Sequence, residues 1–185
     1  MSEITKDSVL LFTGGGKGIT AQCAIALSAV LPCKFVLMGR TPKTDLPVWL
    51  AENDTEQAIK QQILTEGKQN GKRLSPKEIE QKFRQIKGSH EISSTISQIE
   101  QNDAKAYYIA ADVTDLDDVK QSLATMIPDV GPITGLVHGA GRLADKRIER
   151  KTEEDFQAVY GTKVDGLRTV LNCLDSDQLD LLVLF

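Results

Sequence analysis

The sequence has only three cysteines, Cys23, Cys33 and Cys173, set far apart in 185 residues. An odd, scattered set fits neither a disulfide framework nor a zinc site. It points to reduced thiols buried as small apolar side chains, as in a cytoplasmic protein. Positive net charge is absent too: the formal value is −4, which gives no reason to expect nucleic acid as a partner, since that usually calls for a basic patch. No hydrophobic run approaches the ~20 residues a membrane helix needs. The leading segment, Met1 to Asp7, is too polar for a secretory signal, and no internal repeat is visible. What is present, 41% hydrophobic and 26% charged residues, is the balance of one ordinary globular domain able to bury a sizeable core.

Short apolar runs alternate with helical patterns. Val9–Phe12 reads as a buried strand that stops at Thr13 and a glycine cluster. Ile19–Val30 reads as a helix closed by Pro32, and Phe35–Met38 as a second buried strand ending at Gly39-Arg40. Ala106–Ala110 and Ile133–His138 are further strands, Leu116–Met126 and Glu153–Leu174 helices, and Leu179–Phe185 a fifth strand. Strand–helix alternation implies an α/β fold with a doubly wound parallel sheet of about five strands. Residues 42–105 break the rhythm and are long for a connection inside an α/β unit. Three helical patterns, Glu56–Glu66, Pro76–Lys87 and Glu91–Gln101, are separated by Gly67, Gly71 and Gly88. Ser75-Pro76 reads as an N-cap followed by proline at the first helical position. Apolar stripes such as Ile59, Ile63, Phe83, Ile92 and Ile99 mark the stretch as a helical insertion after the second strand, not disorder.

The chemistry concentrates at strand ends. Thr13-Gly14-Gly15-Gly16-Lys17-Gly18-Ile19 lies between the first strand and the first helix. Backbone N–H groups at a helix N-terminus carry partial positive charge, and glycines let a backbone approach a diphosphate closely. The strand-before, helix-after context makes a dinucleotide site the reading, with a structural tight turn as the alternative. Gly18 in place of Ser or Thr after Lys17 excludes a Walker A loop. The second strand ends at Arg40, about 20 residues on, where a carboxylate would bind the ribose 2′-OH of NAD and an arginine accommodates the 2′-phosphate of NADP. Arg40 and the nearby Lys17 therefore favour NADP(H).

Asp112, with Val113, follows the third strand and is placed to contact adenine; the alternative is a helix cap, for which Asp115 is better sited. Gly139, Ala140 and Gly141 follow the fourth strand and are small enough for the backbone to lie along the nicotinamide ribose. Lys163 falls on the expected buried stripe of the last helix (Phe156, Val159, Tyr160, Leu167, Val170, Leu171 and Leu174). There it either snorkels or serves a site. Gly161 and Gly166 flank it, as close backbone approach would require. His138 sits at a strand end, and His90 reads as a surface residue.

In this order, Thr-Gly-Gly-Gly-Lys-Gly, Gly-Arg-Thr, Ala-Asp-Val-Thr-Asp and Val-His-Gly-Ala-Gly resemble a short-chain dehydrogenase/reductase. More narrowly they resemble the ketoreductase domain of polyketide synthases. The segments Leu46-Pro-Val-Trp-Leu50 and Ser89-His-Glu-Ile92 are similar to the insertion of polyunsaturated fatty acid synthase ketoreductases. The resemblance covers residues 1–185 and implies the N-terminal part of a Rossmann-type reductase domain. It implies NADPH-dependent reduction of a 3-ketoacyl group on an acyl carrier protein, with other synthase domains as partners. Lys163 would be catalytic, holding the nicotinamide ribose and lowering a tyrosine pKa. The family's catalytic serine and tyrosine lie beyond Phe185, so the fragment alone is expected to be inactive, and exposed sheet edges could drive self-association. A stand-alone short-chain reductase of a small substrate and a non-catalytic nucleotide-binding or scaffold module are the rival readings.

Overall fold

The computed structural model describes residues 4–51 and 54–185; the first three residues of the polar leading segment lie outside it. Five strands form one parallel sheet in the order β3-β2-β1-β4-β5. They are β1 (Val9–Thr13), β2 (Lys34–Gly39), β3 (Lys105–Ala110), β4 (Gly135–His138) and β5 (Leu181–Leu184). Helix α1 (Gly18–Ser28) joins β1 to β2, α2 (Glu56–Gln69) and α3 (Pro76–Glu100) lie between β2 and β3, and α4 (Leu116–Val130) joins β3 to β4. After β4 come α5 (Glu153–Tyr160), a π-helical turn at Gly161–Asp165 and α6 (Gly166–Asn172).

The apolar runs make strands because both faces of the sheet are covered. Along β1 every residue is buried, and successive side chains go to opposite faces. Val9 and Leu11 join Val36, Met38, Leu136, Val119, Leu123 and Val170 in one core layer. Leu10 and Phe12 join Ala24, Phe35, Leu37, Ile99 and Val137 in the other. Each such side chain, fully buried, contributes about 1.5–3 kcal/mol, so these two layers fix the sheet's register. The pairing places Leu10 opposite Phe35 on one side and Gly135 on the other.

Two helix expectations are corrected. Pro76–Lys87 and Glu91–Gln101 are one unbroken helix of 25 residues, α3, opened by a capping box between Ser75 and Glu78. Gly88 is no break: it is buried, and a Cβ there would lie 2.8 Å from Thr41 Cγ2. Its missing side chain lets the helix press on the chain leaving β2, which offsets the roughly 1 kcal/mol of lost helix propensity. The second half of α3 sends Ile96 and Ile99 into the main core, while Phe83 joins Ile59 and Ile63 of α2 in a small separate cluster with Trp49 and Leu50.

The single helix Glu153–Leu174 is likewise divided. The π turn, whose closing bond runs from Gly166 N–H to Gly161 O, inserts a residue into the helical repeat. The phase of the apolar stripe shifts there. Leu167, Val170 and Leu171 pack against the core, but Phe156 is 56% and Tyr160 38% exposed, so those two leave the buried stripe. Gly166 is a close-approach glycine, its Cβ position 2.8 Å from Val113 Cγ2, whereas Gly161 meets only Asp165 Oδ2 at 3.8 Å.

Candidate functional site

Strand order reverses at β1, which has β2 on one side and β4 on the other. The loops leaving β1 and β4 therefore diverge, and a cleft opens at the strands' C-terminal ends, where open α/β sheets bind ligands. It encloses about 690 Å³. Its walls come from the glycine loop and the start of α1 (Gly14, Gly16, Lys17, Gly18, Ile19, Thr20), the end of β2 (Gly39, Arg40, Thr41), the end of β3 (Ala111, Val113) and the loop after β4 (Gly139, Ala140, Gly141).

Glycine is demanded at the floor. Gly14 has φ +74°, a left-handed conformation disfavoured for residues with a Cβ, and its N–H donates to Met38 O at 2.7 Å. A Cβ at Gly14 would stand 2.8 Å from Gly139 O, and one at Gly16 2.9 Å from Tyr108 Cε2. Lys17 is the N-cap of α1 and makes no side-chain cap bond, so the first-turn amides remain for a ligand. Thr13 and Gly15 are buried beneath this surface and shape it without lining it.

Arg40 is exposed at the cleft rim, and Lys17 sits 3.9 Å from Glu91 in a solvated ion pair. Among the described residues, none lining the cleft carries a carboxylate. Asp112 is off the lining. Its Oδ1 accepts from Thr114 N–H at 3.0 Å and Thr114 Oγ1 at 2.7 Å. Burial would raise its pKa, but the Thr114 bonds and the fields of Arg40 and Arg142 outweigh that and hold it below the usual carboxylate range. Its Oδ1 thus holds its own turn, between the cleft-lining Ala111 and Val113. Asp115 is the helix cap, accepting from Asp117 and Asp118 N–H.

At the other end of the cleft a buried hydrogen-bond chain appears that spacing alone could not reveal. His138 Nε2 lies 3.0 Å from Lys163 O. A carbonyl only accepts, so Nε2 carries the proton and Nδ1 accepts from Thr13 Oγ1 at 2.8 Å. Thr13 Oγ1 in turn accepts from Ala140 N–H at 3.2 Å. Burial lowers the His138 pKa, the Lys163 ammonium adds to that, and the bonds to the Lys163 and Thr162 carbonyls oppose it. His138 is thus a neutral brace joining β1, β4 and the π turn, not a base. Lys163 Nζ lies 3.6 Å from the Cβ position of Gly141 and donates to Phe185 O at 2.6 Å. His90 is half-buried beside Phe83 and Ile86 rather than on the open surface.

The glycine loop is also braced from behind by α3, which the sequence did not flag. Ile92 and Tyr108 line the cleft, and the buried Thr95 hydroxyl lies 3.2 Å from Gly16 O and 2.9 Å from Glu91 O. Tyr108 donates its hydroxyl to Thr41 O at 2.7 Å, and burial pushes its pKa up to about 12. The open amides, the glycine floor and the flanking cations fit a dinucleotide's diphosphate and adenosine. No helix among the described residues is long and apolar enough to cross a membrane.

The comparisons with known proteins agree with this geometry. The family model described as the KR domain matches residues 8–185. A polyunsaturated fatty acid synthase polypeptide of Thraustochytrium sp. is 33% identical over 99% of this chain, which spans 7% of that protein. The polyketide synthase PksL of Bacillus subtilis is 29% identical over 97% of the chain, which spans 3% of it. The crystal structure of an N-terminal ketoreductase from the macrolactin assembly line superposes with a TM-score of 0.69 at 22% identity, covering 100% of this chain and 29% of that one. The chain belongs to the KR domain family, and it matches polyketide and polyunsaturated fatty acid synthases along nearly its whole length.

Proposed function

We propose that this chain is the nucleotide-binding part of a ketoreductase that uses NADPH to reduce a 3-ketoacyl group, tethered to an acyl carrier protein, to the 3-hydroxyacyl product. The cofactor, when bound, supplies the hydride. The chain's residues bind and orient it. The α1 N-terminus and the Gly14–Gly18 loop would take the diphosphate, Gly139–Gly141 would lie along the nicotinamide ribose, and Lys163 would hold that ribose and bias a proton donor toward ionisation. The relatives that the chain matches are large synthases, which favours a carrier-bound substrate and neighbouring synthase domains as partners.

The observation that carries the NADPH reading is the charge at the adenosine end: Lys17 and Arg40 border the cleft, and no carboxylate among the described residues lines it. A 2′-phosphate meets two cations there, and a 2′-OH finds no carboxylate acceptor. Fluorescence titration with NADPH and NADH tests this. The wild type binds NADPH roughly tenfold or more tightly, the low end for an exposed charge-assisted contact, and Arg40→Ala erases most of the difference. Equal wild-type affinities would remove the proposal.

A further inference from the structure

Beside the dinucleotide cleft lies a second cavity of about 840 Å³, and the two share Lys17, Gly18 and Thr41 as a common wall. The outer wall is α3, which contributes Arg84 and Lys87. These two stand three residues apart, on one helix face. Arg84 Nε is engaged by Glu80 at 2.8 Å, and Lys17 by Glu91 at 3.9 Å. Among the described residues no carboxylate lies within ion-pair distance of Lys87 or Arg40.

Lys87 is held in place by its neighbours in sequence. Gly88 presses on Thr41, the residue after Arg40. Ser89 Oγ accepts from Thr44 N–H at 3.1 Å and lies 3.4 Å from Pro42 O. Tyr108 Oη holds Thr41 O from the other side. The short segment that carries Arg40 is therefore stitched to the turn of α3 that carries Lys87, and the two cations border adjoining cavities on either side of the shared Lys17, Gly18 and Thr41 wall.

We infer that Lys87 is a further specificity-determining residue: its ammonium completes an anion subsite, with Lys17 and Arg40, for the ribose 2′-phosphate of the cofactor. This rests on the NADPH reading and deepens it. A phosphate with two negative charges accepts from several donors at once, and a lysine serves as a point charge there, without the fork geometry of arginine. Among the described residues Glu91, already paired with Lys17, is the one opposing charge of this wall, so the subsite is net cationic.

The test uses adenosine 2′,5′-bisphosphate and ADP as probes, titrated by calorimetry into wild type, Lys87→Met, Lys87→Arg and Arg40→Ala proteins. Lys87→Met weakens the 2′,5′-bisphosphate about tenfold, the effect of one partly screened charge contact, and leaves ADP unchanged. Lys87→Arg keeps the wild-type affinity, and raising salt narrows the gap between wild type and Lys87→Met. If Lys87→Met binds both probes like wild type, or loses both equally, the inference is overturned. Should Arg40→Ala still weaken the bisphosphate in that case, the NADPH reading survives without it. If neither variant separates the two probes, both fall.

Discussion

Replacing His138 by leucine removes a brace that three segments share. The ring is 2% exposed and bonded at both nitrogens. Leucine has a similar volume and no polar atom, so it leaves the Thr13 hydroxyl without its acceptor and takes the His138 donor from the Lys163 carbonyl. A buried group left unsatisfied costs roughly 1–3 kcal/mol. Thr13 is fully buried and keeps its bond from Ala140, and Lys163 is half-buried, so the two together should cost about 3 kcal/mol. For a domain of 150–250 residues that lowers Tm by about 6–12 °C. Urea unfolding followed by circular dichroism measures it. The acid limb adds a second readout. Burial lowers the His138 pKa in the fold, so as the pH falls the unfolded chain takes up this proton first. Its share of stability is whole above the unfolded value of about 6.5 and is lost below it, toward the lower folded value. His138→Leu should therefore be less steeply destabilised than wild type as the pH falls below about 6.5. A loss under about 1 kcal/mol, with an unchanged acid slope, would refute the bracing role and the tautomer assigned from it.

Two further substitutions probe the glycines. Gly14→Ala forces a Cβ to 2.8 Å from Gly139 O at φ +74°; it should cost about 1–2 kcal/mol from the backbone alone and abolish dinucleotide binding by prising apart the β1 and β4 loops, checked by thermal melts and titration. Gly166→Ala places a Cβ 2.8 Å from Val113 Cγ2 and should destabilise by roughly 1–3 kcal/mol, the usual range for overpacking, with a denaturant midpoint below that of wild type.

Much of the sheet was legible because it is covered on both faces. Val9–Phe12 and Phe35–Met38 are each within one residue, at either end, of β1 and β2, since continuous apolar runs bounded by glycine have few other uses. The N-cap at Ser75 with proline after it was visible as a local pattern, and Glu78 completes it into a capping box. What failed was decided by partners distant in sequence. Gly88 reads as a breaker until Thr41 is seen against it. The π turn has no signature of its own: Gly166 on Val113 and His138 on the Lys163 carbonyl select it. At the site, the loop glycines, Lys17 and Arg40 announced themselves by position. Thr20, Ile92, Thr95 and Tyr108 did not, because threonines, isoleucines and tyrosines are common, and only the packing of α3 brings Ile92 to the cleft and Thr95 to the Gly16 carbonyl behind it. The turn that Asp112 holds was not legible either, because a carboxylate at a strand end serves a ligand and its own turn equally well.

The position of β1 at the centre of the sheet has a consequence for how the molecule is made. Its partner β2 follows within a few tens of residues, but its other partner waits: Val9 and Thr134, which bond to each other, are 125 positions apart. A ribosome delivers β1, β2 and β3 first, and they can zip together while the far edge of β1 stays unpaired. The Gly139–Gly141 wall emerges last among the cleft-forming loops. A nascent chain therefore holds the glycine loop with no opposite side, and on the proposed function firm nucleotide capture would signal that β4 has docked. Because a ligand stabilises only the state that binds it, dinucleotide in the surrounding medium would act as a late latch on assembly.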